Sequence, residues 1–418
     1  MILLVFTSSF PYDAQHEETF LSPEIQHLVS GFDKVILVPK VLEGERLPVP
    51  NDVQVDESYA VFLETVNKAT TLLKVFFSSC FYRDLHSNFH IWTKPSALMR
   101  LFIYVGGALL TKEWVDKWFA RTGYAEKECV FYTFWFDAAA MGIGLAKQLH
   151  PHLKIVSRAH GYDVYEDRYP VHYLPCRPQA LACVDGVFTD SAAGSQYLQD
   201  RFPEYQSKIA PALMGISDPG FLTRKSEDGV FRIVSCAIIR PVKRIDLLLE
   251  GIVEASRQRP DVRFEWHHFG NSEVEGAREQ LQTLADELLP KNAWAYLPGF
   301  HGQHELFRYY RENPVDVFVN VSISEGTPVS MMEATSCGIP LIATAVGGNK
   351  EIVNAENGFL LDPNPSAQDI ARAFFSIIDH PENIEDRRVA SRAIWNKKYN
   401  AGRNLEEFVM SLKAIRES

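Results

Sequence analysis

The sequence predicts two doubly wound α/β domains, and three observations carry that reading. At 418 residues the chain is too long for one ordinary core and suits two domains of roughly 200 residues each. Short β-branched or aromatic runs alternate with longer amphipathic ones, the pattern of parallel strands joined by helices. One stretch, "PALMGISDPGFLTRKSEDGV" (211–230), concentrates Pro, Gly, Ser and charge between two complete α/β patterns, so the domain boundary falls there.

In the first half, strands are expected at 1–6, 34–39, 129–134, 154–160 and 186–191, with helices between them. In the second half they are expected at 231–239, 262–270, 293–299, 315–322, 340–346 and 358–361. These runs are almost continuously apolar, as strands buried on both faces must be. The expected domains are 1–215 and 216–385, followed by C-terminal helices at 386–418. In that last segment Trp395, Tyr399, Leu405, Phe408, Val409 and Leu412 recur at helical spacing, and it is expected to pack at the domain junction. Two such domains are expected to face a ligand cleft at the carboxyl ends of their strands.

Composition narrows the function. With 46% hydrophobic and 23% charged residues the chain belongs to the soluble globular class. A net charge of −11 argues against nucleic acid as partner. The six cysteines are scattered, with no C-x-x-C pair and no histidine cluster, so no metal site and no disulfide framework are expected, and a reducing cytoplasm fits best. "MILLVF" is too short and lacks a basic leader, so it reads as a first strand and not a secretion signal. "LMRLFIYVGGALL" (98–110) is too short to span a bilayer and contains Arg100.

The chemistry concentrates in "SEGTPVSMMEATSCGIP" (324–340). Thr327 offers a cap and Pro328 a first helical residue whose missing N–H is harmless, so a helix is expected from there to Gly338. Glu325 then precedes the helix and Glu333 lies nearly two turns inside it. A helix N-terminus presents free N–H groups to a phosphate or a polar hydroxylated ligand, and Gly326 admits close backbone approach. The two carboxylates can accept from sugar hydroxyls. The plainer alternative is one acid favoured by the helix dipole and a second on a solvated face.

These residues, with "SCGIPLIATAVGGNKEIV" (336–353), resemble the E-x7-E region of retaining, nucleotide-sugar-dependent glycosyltransferases with the GT-B fold, the bacterial family 4 type. "VSCAIIRPVKRIDLLLEG" (234–251) resembles the same family's strand, Arg/Lys loop and helix. "SRAHGYDVYEDRYP" (157–170) resembles a capsular and exopolysaccharide subgroup. "FPYDAQHEETFLSPEI" (10–25) resembles its first loop and helix, although many members have glycine where this chain has Glu17 before Glu18.

The resemblance implies transfer of a hexose from a UDP- or GDP-sugar, with retention, to a glycan or lipid-diphosphate-linked acceptor in polysaccharide biosynthesis, without a separate cofactor. Arg240 and Lys243, three apart at a helix start, can face a diphosphate without a metal, and no D-x-D occurs in the chain; Arg244 is an equally available cation. Glu325 and the backbone of Gly326, Thr327, Pro328 and Val329 are expected at the donor, Glu333 at the ribose and Phe300 beside the base. The resemblance places His160 near the donor sugar, with Asp163 a secondary candidate. A GT-B-type phosphorylase or epimerase, or a non-catalytic nucleotide-sugar-binding partner of an assembly complex, remains an alternative. Residues 80–122 mix basic and aromatic side chains with a local charge of +3, which suits either peripheral contact with an anionic membrane or an amphipathic insertion over the core.

Overall fold

The computed structural model describes all residues except His16, Pro170, Thr327 and Ser418, and all described side chains except those of Gln15, Thr19 and Lys68. The chain divides into two units, Met1–Met214 with Gly402–Ser418, and Gly215–Ala401.

The first unit is built on a parallel sheet of seven strands: β1 (Ile2–Thr7), β2 (Lys34–Pro39), β3 (Val53–Val55), β4 (Cys129–Thr133), β5 (Lys154–Ala159), β6 (Gly186–Thr189) and β7 (Ile209–Pro211). Their order is β3-β2-β1-β4-β5-β6-β7. Alternate residues serve opposite faces, as the pleat requires. Leu4 and Phe6 enter one core with Phe131 and Ile155, while Leu3 and Val5 enter the other with Val130, Tyr132 and Val156. β3 and β7 were not legible in sequence. Each is a three-residue edge strand, "VQV" and "IAP", too short to show a period.

The expected separate segment 386–418 is divided. Residues up to Ala401 belong to the second unit, and Gly402–Ser418 to the first. In the helix Ala401–Glu417, Phe408, Val409 and Leu412 follow an i, i+1, i+4 spacing and fill the core that Tyr132 and Phe188 share.

The second unit has six parallel strands: β8 (Val230–Cys236), β9 (Arg263–Phe269), β10 (Ala293–Gly299), β11 (Val317–Asn320), β12 (Leu341–Thr344) and β13 (Gly358–Leu361), ordered β10-β9-β8-β11-β12-β13. All six were expected. Ile233, Trp266, Val317 and Val319 pack with Leu248, Leu249 and Ile252 of the helix Ile245–Gln258 and with Ile370 and Phe374 of the helix Ala367–Ile378. The strand order reverses between β8 and β11, and in open α/β sheets ligands bind outside the carboxyl ends at such a point. No described helix is long and apolar enough to cross a membrane.

Candidate functional site

Two loops leave the sheet of the second unit at this switch point. After β8 the chain enters a tight turn, Pro241–Lys243, and Arg244 then takes the left-handed conformation with φ of 49°. That turn aims the Arg244 guanidinium back at the other loop: Nε donates to the carbonyl of Val321 at 2.6 Å and Nη2 to that of Ser322 at 3.1 Å. Nη2 also reaches the Pro363 carbonyl at 2.8 Å. Arg244 is therefore a brace between loops, which separates it from its neighbour Lys243 as a ligand candidate.

The loop after β11 is fixed from several sides. Ile323 donates its N–H to the Val242 carbonyl at 2.8 Å, and Thr344 Oγ1 donates to the Ser322 carbonyl at 2.6 Å. Gly348 donates its N–H to the Gly326 carbonyl at 3.1 Å. A Cβ on Gly347 would lie 1.9 Å from the Glu325 carbonyl oxygen, and one on Gly348 would lie 2.1 Å from that of Gly326. The "GG" of "AVGGNK" therefore lets two backbones touch.

Held this way, the Glu325 carboxylate is almost buried. Its Oε1 accepts from Lys243 Nζ at 2.7 Å, Asn320 Nδ2 at 2.9 Å and Ser322 Oγ at 2.6 Å. Lys243 and Glu325 are 82 residues apart, and the sequence reading assigned them to different parts of a donor without pairing them. Arg240 turns elsewhere: exposed, it lies 3.2 Å from Glu273 Oε1. The two cations expected to face one anion thus have separate acidic partners, because the tight turn between them points their side chains apart.

The helix begins at Val329 and ends at Ser336, with Gly338 left-handed at φ of 72°, as expected at its end. Pro328 was expected as the first helical residue but precedes the helix, since a ψ of 94° keeps its peptide out of the helical basin. Its carbonyl still accepts from the N–H groups of Met331 at 3.1 Å and Met332 at 3.2 Å. Thr327, the expected cap, lies outside the described residues.

Glu333 is buried on this helix, not on a solvated face. Its Oε1 accepts from Gln303 Nε2 at 2.8 Å. Burial raises its carboxyl to about 7, and the Gln303 hydrogen bond only partly offsets that. Phe300, expected beside the base, is 70% exposed, and its N–H donates to Asn271 Oδ1 at 3.0 Å.

His160 follows β5 in the first unit and starts the short helix Gly161–Val164. Its Nε2 lies 3.0 Å from the Phe134 carbonyl, so that nitrogen carries the proton, and Nδ1 lies 3.6 Å from Asp190 Oδ2. Burial works against the charged imidazole, but the nearby Asp190 and Asp163 carboxylates outweigh it and raise the pKa. Asp163 is consumed structurally, with its carboxylate accepting from the N–H groups of His160 and, at 2.7 Å, Phe136.

Sequence reasoning missed the role of Glu17. At the β1/β4 switch point its carboxylate accepts from the N–H groups of Ser8 at 3.1 Å, Ser9 at 2.9 Å and Phe10 at 3.1 Å, and from Trp135 Nε1 at 2.6 Å. Three consecutive backbone donors form an anion nest, and here a side chain of the protein fills it. The available signal was an acid where the resembling family has glycine. Among the described residues no group of three His, Cys, Asp or Glu is placed to hold a metal.

Comparison with known proteins agrees with this layout. Residues 224–394 match the family model of Glycosyl transferases group 1. WcaL of Salmonella typhimurium, named for a glycosyltransferase of colanic acid biosynthesis, is 30% identical over 239 residues, 54% of this chain and 56% of its own length. The UDP-N-acetylglucosamine–peptide N-acetylglucosaminyltransferase GtfA subunit of Streptococcus agalactiae is 28% identical over 230 residues, 51% of this chain and 43% of its own. The chain thus spans about half the length of the curated relatives it matches. Among solved structures, the lipopolysaccharide outer core galactosyltransferase WaaB superposes over 98% of this chain and 99% of its own, with a TM-score of 0.68 at 14% identity. Anabaena HepE in complex with UDP covers 99% of each chain, with a TM-score of 0.61 at 15% identity. Residues 224–394 therefore match a glycosyl transferases group 1 domain, in a chain that shares the GT-B fold of these structures.

Proposed function

We propose that this chain is a retaining glycosyltransferase that moves a hexose from a nucleoside-diphosphate sugar to a glycan or lipid-linked acceptor in polysaccharide biosynthesis. The observation that carries the reading is the Lys243–Glu325 pair at the β8/β11 switch point, with Glu333 buried on the helix that follows. WcaL and the GtfA subunit are both named for sugar transfer, and HepE was solved with UDP, so UDP-sugars are the first donors to try.

In this reading the diphosphate takes Lys243 and Arg240 from their present partners. Releasing Arg240 from Glu273 is easy, since exposed ion pairs contribute about 0–1 kcal/mol. Lys243 leaves a nearly buried carboxylate, and Glu325 then keeps the Asn320 and Ser322 donors while it accepts from a hexose hydroxyl. The backbone from Gly326 to Val329 lies at the donor, Phe300 lies beside the base, and Glu333 accepts from the ribose hydroxyls once it is ionised. The His160 side chain is assigned to the sugar. The cations and the N–H groups at the start of the helix Val329–Ser336 stabilise the leaving diphosphate without a metal.

Incubation with UDP- and GDP-hexoses tests this by release of UDP or GDP. Acceptor-dependent release, unchanged by EDTA, is expected. Release that requires orthophosphate would instead identify a phosphorylase, and a rearranged donor an epimerase. Nucleotide binding without any turnover would identify a non-catalytic binding partner.

A further inference from the structure

Between residues 66 and 104 the sequence carries five basic residues and a single acid, Asp84, in a chain of net charge −11. Asp84 is buried: it accepts from the Tyr173 hydroxyl and, at 3.0 Å, from the Cys176 N–H. No exposed acid of this segment therefore screens Arg83 and Lys94, which are both exposed.

The same segment exposes large apolar side chains. Phe77 is 84% exposed, Ile103 68%, Phe89 62%, Leu73 61% and Trp92 56%. Isolated exposed apolar residues are ordinary, but here Phe89 and Trp92 pair at 5.9 Å between ring centres, and the exposed Phe76 and Tyr82 join a second chain of rings. Phe76 contacts Phe102 at 5.1 Å between ring centres, Phe102 contacts Phe81 at 4.6 Å, and Phe81 contacts Tyr82 at 5.3 Å. The cause is local packing. The helix Lys68–Phe76 turns Thr71 and Val75 towards Gly106 of the helix Pro95–Thr122, and its spacing then sends Leu72, Leu73 and Phe76 outward. Leu73, Phe77 and Leu109 line a groove of about 580 Å³, in which Lys74 and Lys112 are paired with Glu113 and Asp116.

Of the two sequence readings of 80–122, its later part fits the insertion over the core. Phe81, Trp114, Trp118 and Phe119 are buried, and Glu113 and Asp116 pair with Lys74, Lys117 and Lys112. The exposed surface lies earlier, on residues 72–103.

We infer that this face of the first unit rests on an anionic lipid bilayer, with its aromatic and aliphatic side chains in the headgroup region and Arg83 and Lys94 against lipid phosphates. Protein interfaces are depleted in lysine, whereas exposed rings with unscreened cations are the composition that lies on anionic membranes. The helix Pro95–Thr122, which cannot span, lies along the surface. This inference goes beyond the donor-site reading and does not rest on it.

Flotation of the full chain with vesicles of phosphatidylglycerol and phosphatidylethanolamine tests it against vesicles of phosphatidylcholine alone. Binding is expected with the anionic vesicles, and added salt should weaken it. The double variants Arg83→Glu/Lys94→Glu and Phe77→Ser/Trp92→Ser should each keep the wild-type unfolding temperature. The charge variant should bind about thirtyfold or more weakly, since each cation near an anionic surface contributes about a fivefold factor. Neither variant should change nucleoside diphosphate release with a water-soluble acceptor, so failure of the membrane proposal is separable from failure of the donor-site reading. Absence of wild-type flotation, or flotation of both variants equal to wild type, would overturn it. So would sedimentation showing that the wild type self-associates and the variants do not, which would assign the face to a second copy.

Discussion

Lys243 Nζ lies 2.7 Å from Glu325 Oε1, in a pair whose side chains are 16% and 8% exposed. A pair this far from water is held by more than its own attraction, since each charge must recover lost hydration from its neighbours. Glu325 does so through Asn320 and Ser322. The pair therefore has a structural role before any ligand arrives, and a variant must separate that role from catalysis.

Lys243→Ala leaves a nearly buried carboxylate without its cation, and the expected destabilisation is about 3 kcal/mol. Lys243→Ala combined with Glu325→Gln should recover much of that loss, read by denaturant unfolding. Turnover should stay down by a factor on the order of a hundred in both, because the diphosphate has lost its counter-charge. A double variant with wild-type turnover would remove Lys243 from the mechanism.

The carboxyl of Glu333 gives a pH signature. Burial raises its folded value to about 7, above the 4.5 of an ordinary glutamate. Between those values the unfolded chain has released the proton and the folded chain still holds it. Stability therefore falls as pH rises through that window, by roughly 3 kcal/mol in all, and is fully retained only below it. Glu333→Gln should raise the unfolding temperature at about pH 8 and change it little at about pH 4. If the ionised carboxylate accepts from ribose hydroxyls, UDP affinity should rise with pH through neutrality in the wild type and stay flat in the variant, as calorimetry can establish.

The legible part of this site was its residue types, and the hidden part was their pairing. β8 and β11 stand out because strands buried on both faces must be apolar throughout, and the Pro–Gly punctuation located the helix carrying Glu333. No local pattern could join Lys243 to Glu325 across 82 positions, or assign Arg244 a bracing role while its neighbour met an acid. Glu17 looked like a departure from a family pattern, because a nest of backbone N–H groups leaves no mark in sequence. Trp114 and Trp118 fell in a stretch that suited either a membrane face or an insertion over the core; with Thr111 and Val115 they form an i, i+3, i+4, i+7 stripe, which points to a buried helix face.

Gly347 is where loop geometry can be tested without touching a charged group. Its φ is 43°, and an added Cβ would meet the Glu325 carbonyl at 1.9 Å. Backbone cannot yield as a flexible side chain can, so Gly347→Ala must displace the loop. The expected cost is about 1–3 kcal/mol, with a weaker UDP affinity that follows from moving Glu325. Gly302→Ala, where nothing lies within 4 Å of the new atom, is the control and should leave affinity unchanged.

The C-terminal helix supplies the last test, because its apolar side belongs to the unit that begins the chain. Phe408 is 2% exposed and Leu412 is fully buried; the Phe408 ring lies 5.3 Å from that of Tyr132, and the buried Arg158 guanidinium is 4.1 Å from its centre. Each large side chain buried this way contributes about 1.5–3 kcal/mol, so removing residues 402–418 strips several such terms at once and opens the core around Tyr132 and Phe188 to water. Hydrogen exchange on the truncated chain should show lost protection in β1, β4 and β6, with β8 and β11 still protected. Leu412→Ala is the milder version and should cost about 2–5 kcal/mol through its cavity. Equal loss of protection in β8 and β11 would contradict the assignment of this helix to the first unit.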